Sequence, residues 1–368
     1  PFSLCVLARG TGSANNTVQP HRETSPRKSM SWFPERQQRT WLHKLCAGIL
    51  KTGPVPKHIA FIMDGNRRFA VKQSIDRAEG HLKGFDKLAE TLDWCLDLGI
   101  CEVTVYAFSI ENFKRSKEEV QCLMEIARQK FARLMQEKEM IEKHGVCVRV
   151  LGNLSLLPLD VQQLIADVVN YSKHNDKAIL NVCFAYTAQD DMSNAMKELA
   201  LGVKAGDIRD SDISETLLEQ CLYTSHSRPV DLLIRTSGEV RLSDFLLWES
   251  AYSCLVFVKV LWPEFSVWHL YGTILLYQRN HAHIQVARQN RDIERERLQR
   301  ESDHKLVLEE LAQAGPEHKV SGDSITLQER VQKYADVRRQ RTDNFLESLN
   351  ARRNEFLERL QPVQASAS

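Results

Sequence analysis

The stretch Lys57-His58-Ile59-Ala60-Phe61-Ile62-Met63-Asp64-Gly65-Asn66-Arg67-Arg68-Phe69 decides the reading of this chain. Its apolar run, His58 to Met63, suits a central strand of a parallel sheet, and it ends abruptly in an acid, a glycine and two arginines. Open α/β sheets place their ligands beyond the carboxyl ends of the strands, where these charged residues follow. A carboxylate beside two guanidiniums suits a metal and a diphosphate. A helix starting near Asn66 would add its free backbone N–H groups to the anion site. A salt-bridged strand-to-helix turn explains this one motif equally well; three downstream motifs of like chemistry favour the ligand site.

Outward from this stretch, apolar and β-branched runs recur at His58–Met63, Val103–Ser109, Val146–Gly152, Ile179–Tyr186, Val230–Ser237 and Cys254–Val260. Helical patterns such as His81–Leu98, Lys117–Lys143 and Leu159–Tyr171 lie between them. The alternation predicts an α/β fold over residues 54–280, a central parallel sheet of about six strands flanked by helices. Residues 1–29, rich in Ser, Thr, Pro and Arg, are expected to be a disordered extension, with Met30 as a start; Arg9, Arg22, Arg27 and Lys28 against Glu23 leave a mitochondrial transit peptide as the rival. Residues 30–53 carry an amphipathic helix with a stripe at Trp41, Leu45 and Ile49, read as packed on the core rather than lying on a membrane. Residues 281–368 form a charged helical extension, broken at Gly315-Pro316. Its later stripe, Val331, Tyr334, Arg338, Phe345, Leu349, Phe356 and Leu360, has to bury on the domain or on another chain.

With 368 residues, 43% hydrophobic, 26% charged and net charge +1, the chain suffices for one large domain and appendages. Near-neutral charge gives no general attraction to nucleic acid, so anion binding has to come from local clusters. The nine cysteines contain no C-x-x-C pair and sit mostly in apolar periodic segments, as reduced core thiols do. No apolar stretch approaches the ~20 residues that span a bilayer, and no G-x-x-x-x-G-K-[ST] loop is present.

The chemical motifs sit at strand ends. Tyr106-Ala107-Phe108-Ser109-Ile110-Glu111-Asn112-Phe113-Lys114-Arg115-Ser116 offers a hydroxyl, an amide and a guanidinium. Ile234-Arg235-Thr236-Ser237-Gly238-Glu239-Val240-Arg241-Leu242-Ser243-Asp244-Phe245-Leu246-Leu247-Trp248 carries two arginines six apart and a serine expected at a helix start. Arginine's planar fork suits phosphate oxygens. Arg77 and His81, one helical turn apart, could face the same anion.

These motifs, in this order and with Leu261-Trp262-Pro263-Glu264-Phe265, resemble the cis-prenyltransferase family, and within it the branch that makes dehydrodolichyl diphosphate in animals. The resemblance covers about residues 54–270 and implies a catalytic subunit that adds isopentenyl diphosphate units to farnesyl diphosphate, making long-chain polyprenyl diphosphate for dolichol synthesis and protein glycosylation. It implies that Asp64 organises Mg²⁺ and that Gly65, Asn66, Arg67, Arg68, Arg77 and His81 hold the allylic diphosphate. Ser109, Asn112 and Arg115 would position the reacting groups; Arg235, Arg241 and Ser243 would clamp isopentenyl diphosphate. The trans-type enzymes' Asp-Asp-x-x-Asp is absent, since Asp190-Asp191-Met192-Ser193-Asn194 lacks the last acid.

Two departures follow. Homomeric bacterial-type members carry a metal-placing glutamate where this chain has Cys254, and an Arg-x-Gly that completes a neighbour's site, which does not follow Trp262 here. The expectation is a hetero-oligomer with a membrane-anchored homologous subunit bearing Arg-x-Gly, peripheral on the cytosolic face of the endoplasmic reticulum membrane. The alternative is a non-catalytic interaction subunit of the same fold; the retained acid and arginines speak for catalysis.

Overall fold

The computed structural model describes Trp32, residues 40–313 and residues 326–360; the expectations for residues 1–29 and for the Gly315-Pro316 break fall outside them. Among the described residues, the helices are α1 (Trp41–Leu50), α2 (Asn66–Gln73), α3 (Arg77–Leu98), α4 (Lys117–Gln136), α5 (Lys138–His144), α6 (Leu159–Ser172), α7 (Ala188–Ala205), α8 (Glu215–Cys221), α9 (Val267–Gln313) and α10 (Leu327–Arg359). The strands are β1 (His58–Ile62), β2 (Glu102–Ser109), β3 (Val146–Leu151), β4 (Ala178–Tyr186), β5 (Leu232–Arg235) and β6 (Cys254–Phe257). They form one parallel sheet in the order β3-β4-β2-β1-β5-β6.

All five residues of β1 are buried, as a strand covered on both faces requires. Ile59 and Phe61 point into the larger core, against Leu88 and Cys95 of α3 and Met124 and Phe131 of α4. Ala60 and Ile62 point to the opposite face, towards Tyr186, Leu233 and Phe245. From β1 the chain crosses to β2 on one side, whereas β5 and β6 lie on the other. That reversal is a topological switch point, and it opens a crevice beyond the carboxyl ends of β1 and β5.

Two expectations are corrected at the periphery. The α1 stripe does not pack on the core: Trp41, Leu45 and Ile49 are 74%, 51% and 59% exposed. The adjoining face carries the packing, through buried Leu50 with Cys46 and Ala47 against the main cluster. The single helical pattern over Lys117–Lys143 is two helices, because Glu137 leaves helical geometry (φ −100°, ψ 29°) and is held by the Arg133 guanidinium at 2.8 Å.

The α10 stripe packs back on the domain through its middle, where Phe345 and Leu349 enter a cluster with Ala195 and Leu199 of α7 and Leu217 and Cys221 of α8, while Phe356 is exposed. Two bidentate arginine pairs fix its register, Arg338 on buried Asp303 (2.9 and 3.0 Å) and Arg341 on buried Asp212 (3.0 and 2.8 Å). Phe345→Ala should weaken this docking by about 3–4 kcal/mol, the usual cost of emptying a buried phenylalanine site. Hydrogen exchange should show α10 amides deprotected while those of β1, β2 and β4 hold. Equal loss across the sheet would contradict a separately docked helix.

Candidate active site

The site is built where β1 and β5 end. After β1 the chain turns at Gly65, whose φ of +111° favours glycine. A Cβ there would also lie 2.9 Å from Leu261 Cδ2. The turn is held from the far side by the Trp262 amide, which donates to the Asp64 carbonyl (3.0 Å), and by the Trp262 indole, which donates to the Gly84 carbonyl (2.7 Å). α2 starts at Asn66 as expected, so its first amides face the crevice.

Arg235, at the end of β5, stands beside Ile62 in register and is buried. Its Nη2 donates to Asp64 Oδ2 at 2.9 Å; its Nη1 donates to Ser243 Oγ at 2.8 Å and to the Arg241 carbonyl. Arg68 comes within 3.6 Å of the same Asp64 oxygen, donates to the Ser237 hydroxyl and carbonyl, and stands 3.7 Å from Glu239. Burial alone would raise the Asp64 carboxyl, but Arg235, Ser237 and Arg68 outweigh it and hold the carboxyl below its usual range.

A second group of charges lies on the α3–α4 side. Arg115 donates to Glu119 Oε1 at 2.8 Å, Arg67 stands 3.8 Å from the same oxygen, and Arg77 stands 3.8 Å from Oε2. His81 Nε2 is buried without a hydrogen-bond partner. Burial and the charges of Arg115 and Arg67, opposed by Glu119, lower its pKa, so the ring is neutral near pH 7.

Both groups open into one cleft of about 1140 Å³ lined by Asp64, Gly65, Asn66, Arg67, Arg68, Arg77, His81, Ser109, Asn112, Arg115, Arg235, Arg241 and Ser243. The sequence-predicted residues are thus brought together. Away from the charges the cleft continues between the sheet and α3 and α4 as an apolar arm, with Leu88, Phe108, Ile126 and Phe131 among its walls and Trp32 at its boundary. The indole of Trp32 donates to the Lys130 carbonyl at 2.9 Å.

A model of the family described as putative undecaprenyl diphosphate synthase matches residues 62–285. The chain belongs to that family, the cis-prenyltransferases. It is 56% identical over 336 residues to a human dehydrodolichyl diphosphate synthase complex subunit, covering 91% of this chain and 100% of that one. It is 45% identical over 228 residues to the geranylgeranyl-diphosphate-specific tritrans,polycis-undecaprenyl-diphosphate synthase of Pyrococcus abyssi, covering 62% of this chain and 84% of the relative. The solved structure of lavandulyl diphosphate synthase from Lavandula x intermedia, in complex with dimethylallyl diphosphate, matches with a TM-score of 0.58 at 32% identity, over 61% of this chain and 95% of that one.

Within this cis-prenyltransferase several expectations need correction. Ser243 does not start a helix: Ser243, Asp244 and Leu246 have φ of +51°, +59° and +47°, which a right-handed helix cannot contain. Ser237, at φ +76°, is held there by hydrogen bonds from the Ser237 amide to the Val260 carbonyl (2.7 Å) and from the Gly238 amide to the Val258 carbonyl (2.9 Å). Such strain beside a ligand cleft marks a segment shaped for its contacts rather than for its own stability. Ser109 and Asn112 reach the cleft, but both also cap the short 3₁₀ turn Ile110–Lys114: Ser109 Oγ accepts from the Glu111 amide, and Asn112 Oδ1 from the Ser109 amide (3.1 and 3.0 Å).

Cys254 starts β6 beside Leu232, three residues before the Phe257 that pairs with Arg235. It lies roughly 10 Å down the strand from the cleft, so the position is not part of this chain's own site, and a cysteine there takes no metal ligand from it. Glu119 escaped the sequence reading because Ser116-x-x-Glu119 has the form of a helix cap, and the Ser116 hydroxyl does accept the Glu119 amide (3.3 Å).

The lowered Asp64 pKa gives a stability prediction. A depressed carboxylate stabilises fully above its unfolded pKa of about 3.9 and loses that contribution as pH falls through the folded value. Asp64→Asn should therefore melt below wild type at pH 7, with buried Arg235 short of its counter-charge, and the two curves should converge below about pH 4. An unchanged gap at pH 3 would show that Asp64 acts through shape alone.

Proposed function

We propose that the chain is the catalytic subunit of a dehydrodolichyl diphosphate synthase, which lengthens farnesyl diphosphate by successive isopentenyl diphosphate units. The carrying observation is the single cleft in which two arginine groups flank the Asp64–Arg235 pair and an apolar arm leads away. Asn66, Arg67, Arg68, Arg77 and His81, with Gly65 and the amino end of α2, take the allylic diphosphate. Arg235, Arg241 and Ser243 take that of isopentenyl diphosphate. Ser109, Asn112 and Arg115, at the end of β2, stand towards the reacting groups.

In each cycle the terminal alkene carbon of isopentenyl diphosphate bonds to C1 of the primer, the allylic C–O bond breaks, pyrophosphate leaves, and a proton departs from C2 of the incoming unit. Guanidiniums aimed at the leaving pyrophosphate lower that barrier as its charge develops. Asp64 would hold Mg²⁺, which supplies further neutralisation of the diphosphate. One ionised carboxylate at an open cleft, completed by substrate oxygens and water, is a donor set this hard cation takes. The apolar arm receives the growing hydrocarbon, which has no polar group to recognise. Beyond Trp32, which borders both spaces, lies a second apolar cavity of about 450 Å³ between α3, α5 and the sheet, further room for a long product.

A membrane-anchored homologous subunit bearing Arg-x-Gly completes the enzyme in this reading, supported by the absence of that motif after Trp262 and by a human relative named as a complex subunit. Among the described residues no helix is long and apolar enough to cross a membrane. The exposed Trp41, Leu45 and Ile49 of α1 would then rest on the cytosolic surface of the endoplasmic reticulum as an aid to that anchor. With farnesyl diphosphate, labelled isopentenyl diphosphate and Mg²⁺, the chain should give slow cis-polyprenyl synthesis alone and at least tenfold faster synthesis with such a subunit, each lost preorganised donor costing roughly 1.5–3 kcal/mol. No incorporation under either condition would contradict the catalytic assignment. Full-rate synthesis alone, unchanged on addition, would contradict the partner.

A further inference from the structure

We propose that Glu119 is a positioning residue that stands in for the allylic diphosphate between turnovers and limits how tightly pyrophosphate is held after each one. The inference rests on the reading above, in which Arg67 and Arg77 take the allylic diphosphate and Arg115 stands beside them, towards the reacting groups.

Three guanidiniums from three separate elements, α2, the amino end of α3 and the turn after β2, meet at this carboxylate. Left without an anion they would repel one another and turn to solvent; burial and the charge of Arg67 do lower the Arg115 pKa. Glu119 supplies the missing charge from the first turn of α4, its amide capped by Ser116 and its side chain only 11% exposed.

The three contacts are not alike. Arg115, four residues earlier and at 2.8 Å, makes a hydrogen bond. Arg67 and Arg77, at 3.8 Å, are held by charge alone, beyond the distance of a hydrogen bond, and their side chains are more than half exposed. Two arginines are therefore free to turn to phosphate oxygens at small cost, while the third stays with the carboxylate. The acid remains beside the bound diphosphate as a like charge. Pyrophosphate is produced in this lobe in every cycle and has to leave before the lengthened primer can return. A three-arginine grip with no opposing charge would retain it.

Glu119→Gln preserves size and removes the charge. Titrating inorganic pyrophosphate without metal or isopentenyl diphosphate should show binding about tenfold tighter than wild type, the effect of deleting one like charge several ångströms away at a partly screened surface. The salt dependence should be steeper. In turnover, pyrophosphate should inhibit the variant more strongly and kcat should fall while KM for the primer does not rise, whereas Glu119→Asp, which keeps the charge, should return pyrophosphate affinity towards wild type. Equal or weaker pyrophosphate binding by a folded Glu119→Gln protein would overturn the proposal and leave Glu119 as a tie between elements. A wild-type protein that binds no pyrophosphate would instead overturn the diphosphate reading of the lobe.

Discussion

A guanidinium buried at the end of a central strand has to find a counter-charge, and the site follows from Arg235 finding Asp64. The two residues belong to β5 and β1, neighbours at the switch point, so the pair closes the crevice floor that the topology opens. Arg235 Nη1 donates to the Arg241 carbonyl and the Ser243 hydroxyl. One side chain thereby fixes the Asp64 carboxylate and shapes the strained loop of the second lobe. The arrangement is costly to break, because removing either partner leaves a desolvated charge behind.

From this pair the charges divide into two sets. Arg67, Arg77 and Arg115 gather around Glu119, and Arg68 and Arg241 around Glu239. Each arginine set thus faces an acid of its own before any ligand arrives, which offsets part of its charge. The acids reduce the repulsion within each set and leave a net positive charge that a diphosphate can take over.

Much of this was legible in the sequence because parallel strands write themselves as short continuous apolar runs: β1, buried on both faces, is the clearest case, and the acid and arginines after it lie at the end where ligands bind. What was not legible depended on direction in space. The Trp41, Leu45 and Ile49 stripe of α1 differs from the packed Cys46, Ala47 and Leu50 face by a rotation about the helix axis, and a period alone does not say which side meets the core. Ser243 sits among ordinary helix-forming residues, yet positive φ at three nearby positions excludes the helix. Glu119 was hidden by its helix-cap spacing, and Cys254 by the polarity of β6, which carries it to the end of the sheet away from the cleft.

The central claim is that two diphosphates are held at once, on either side of the Asp64–Arg235 pair. The direct test is equilibrium binding of labelled isopentenyl diphosphate to the protein together with the proposed accessory subunit, after saturation with an unreactive thiolo analogue of farnesyl diphosphate and Mg²⁺. The account predicts one isopentenyl diphosphate bound per catalytic chain with the analogue still in place. Mutual displacement of the two ligands would contradict it.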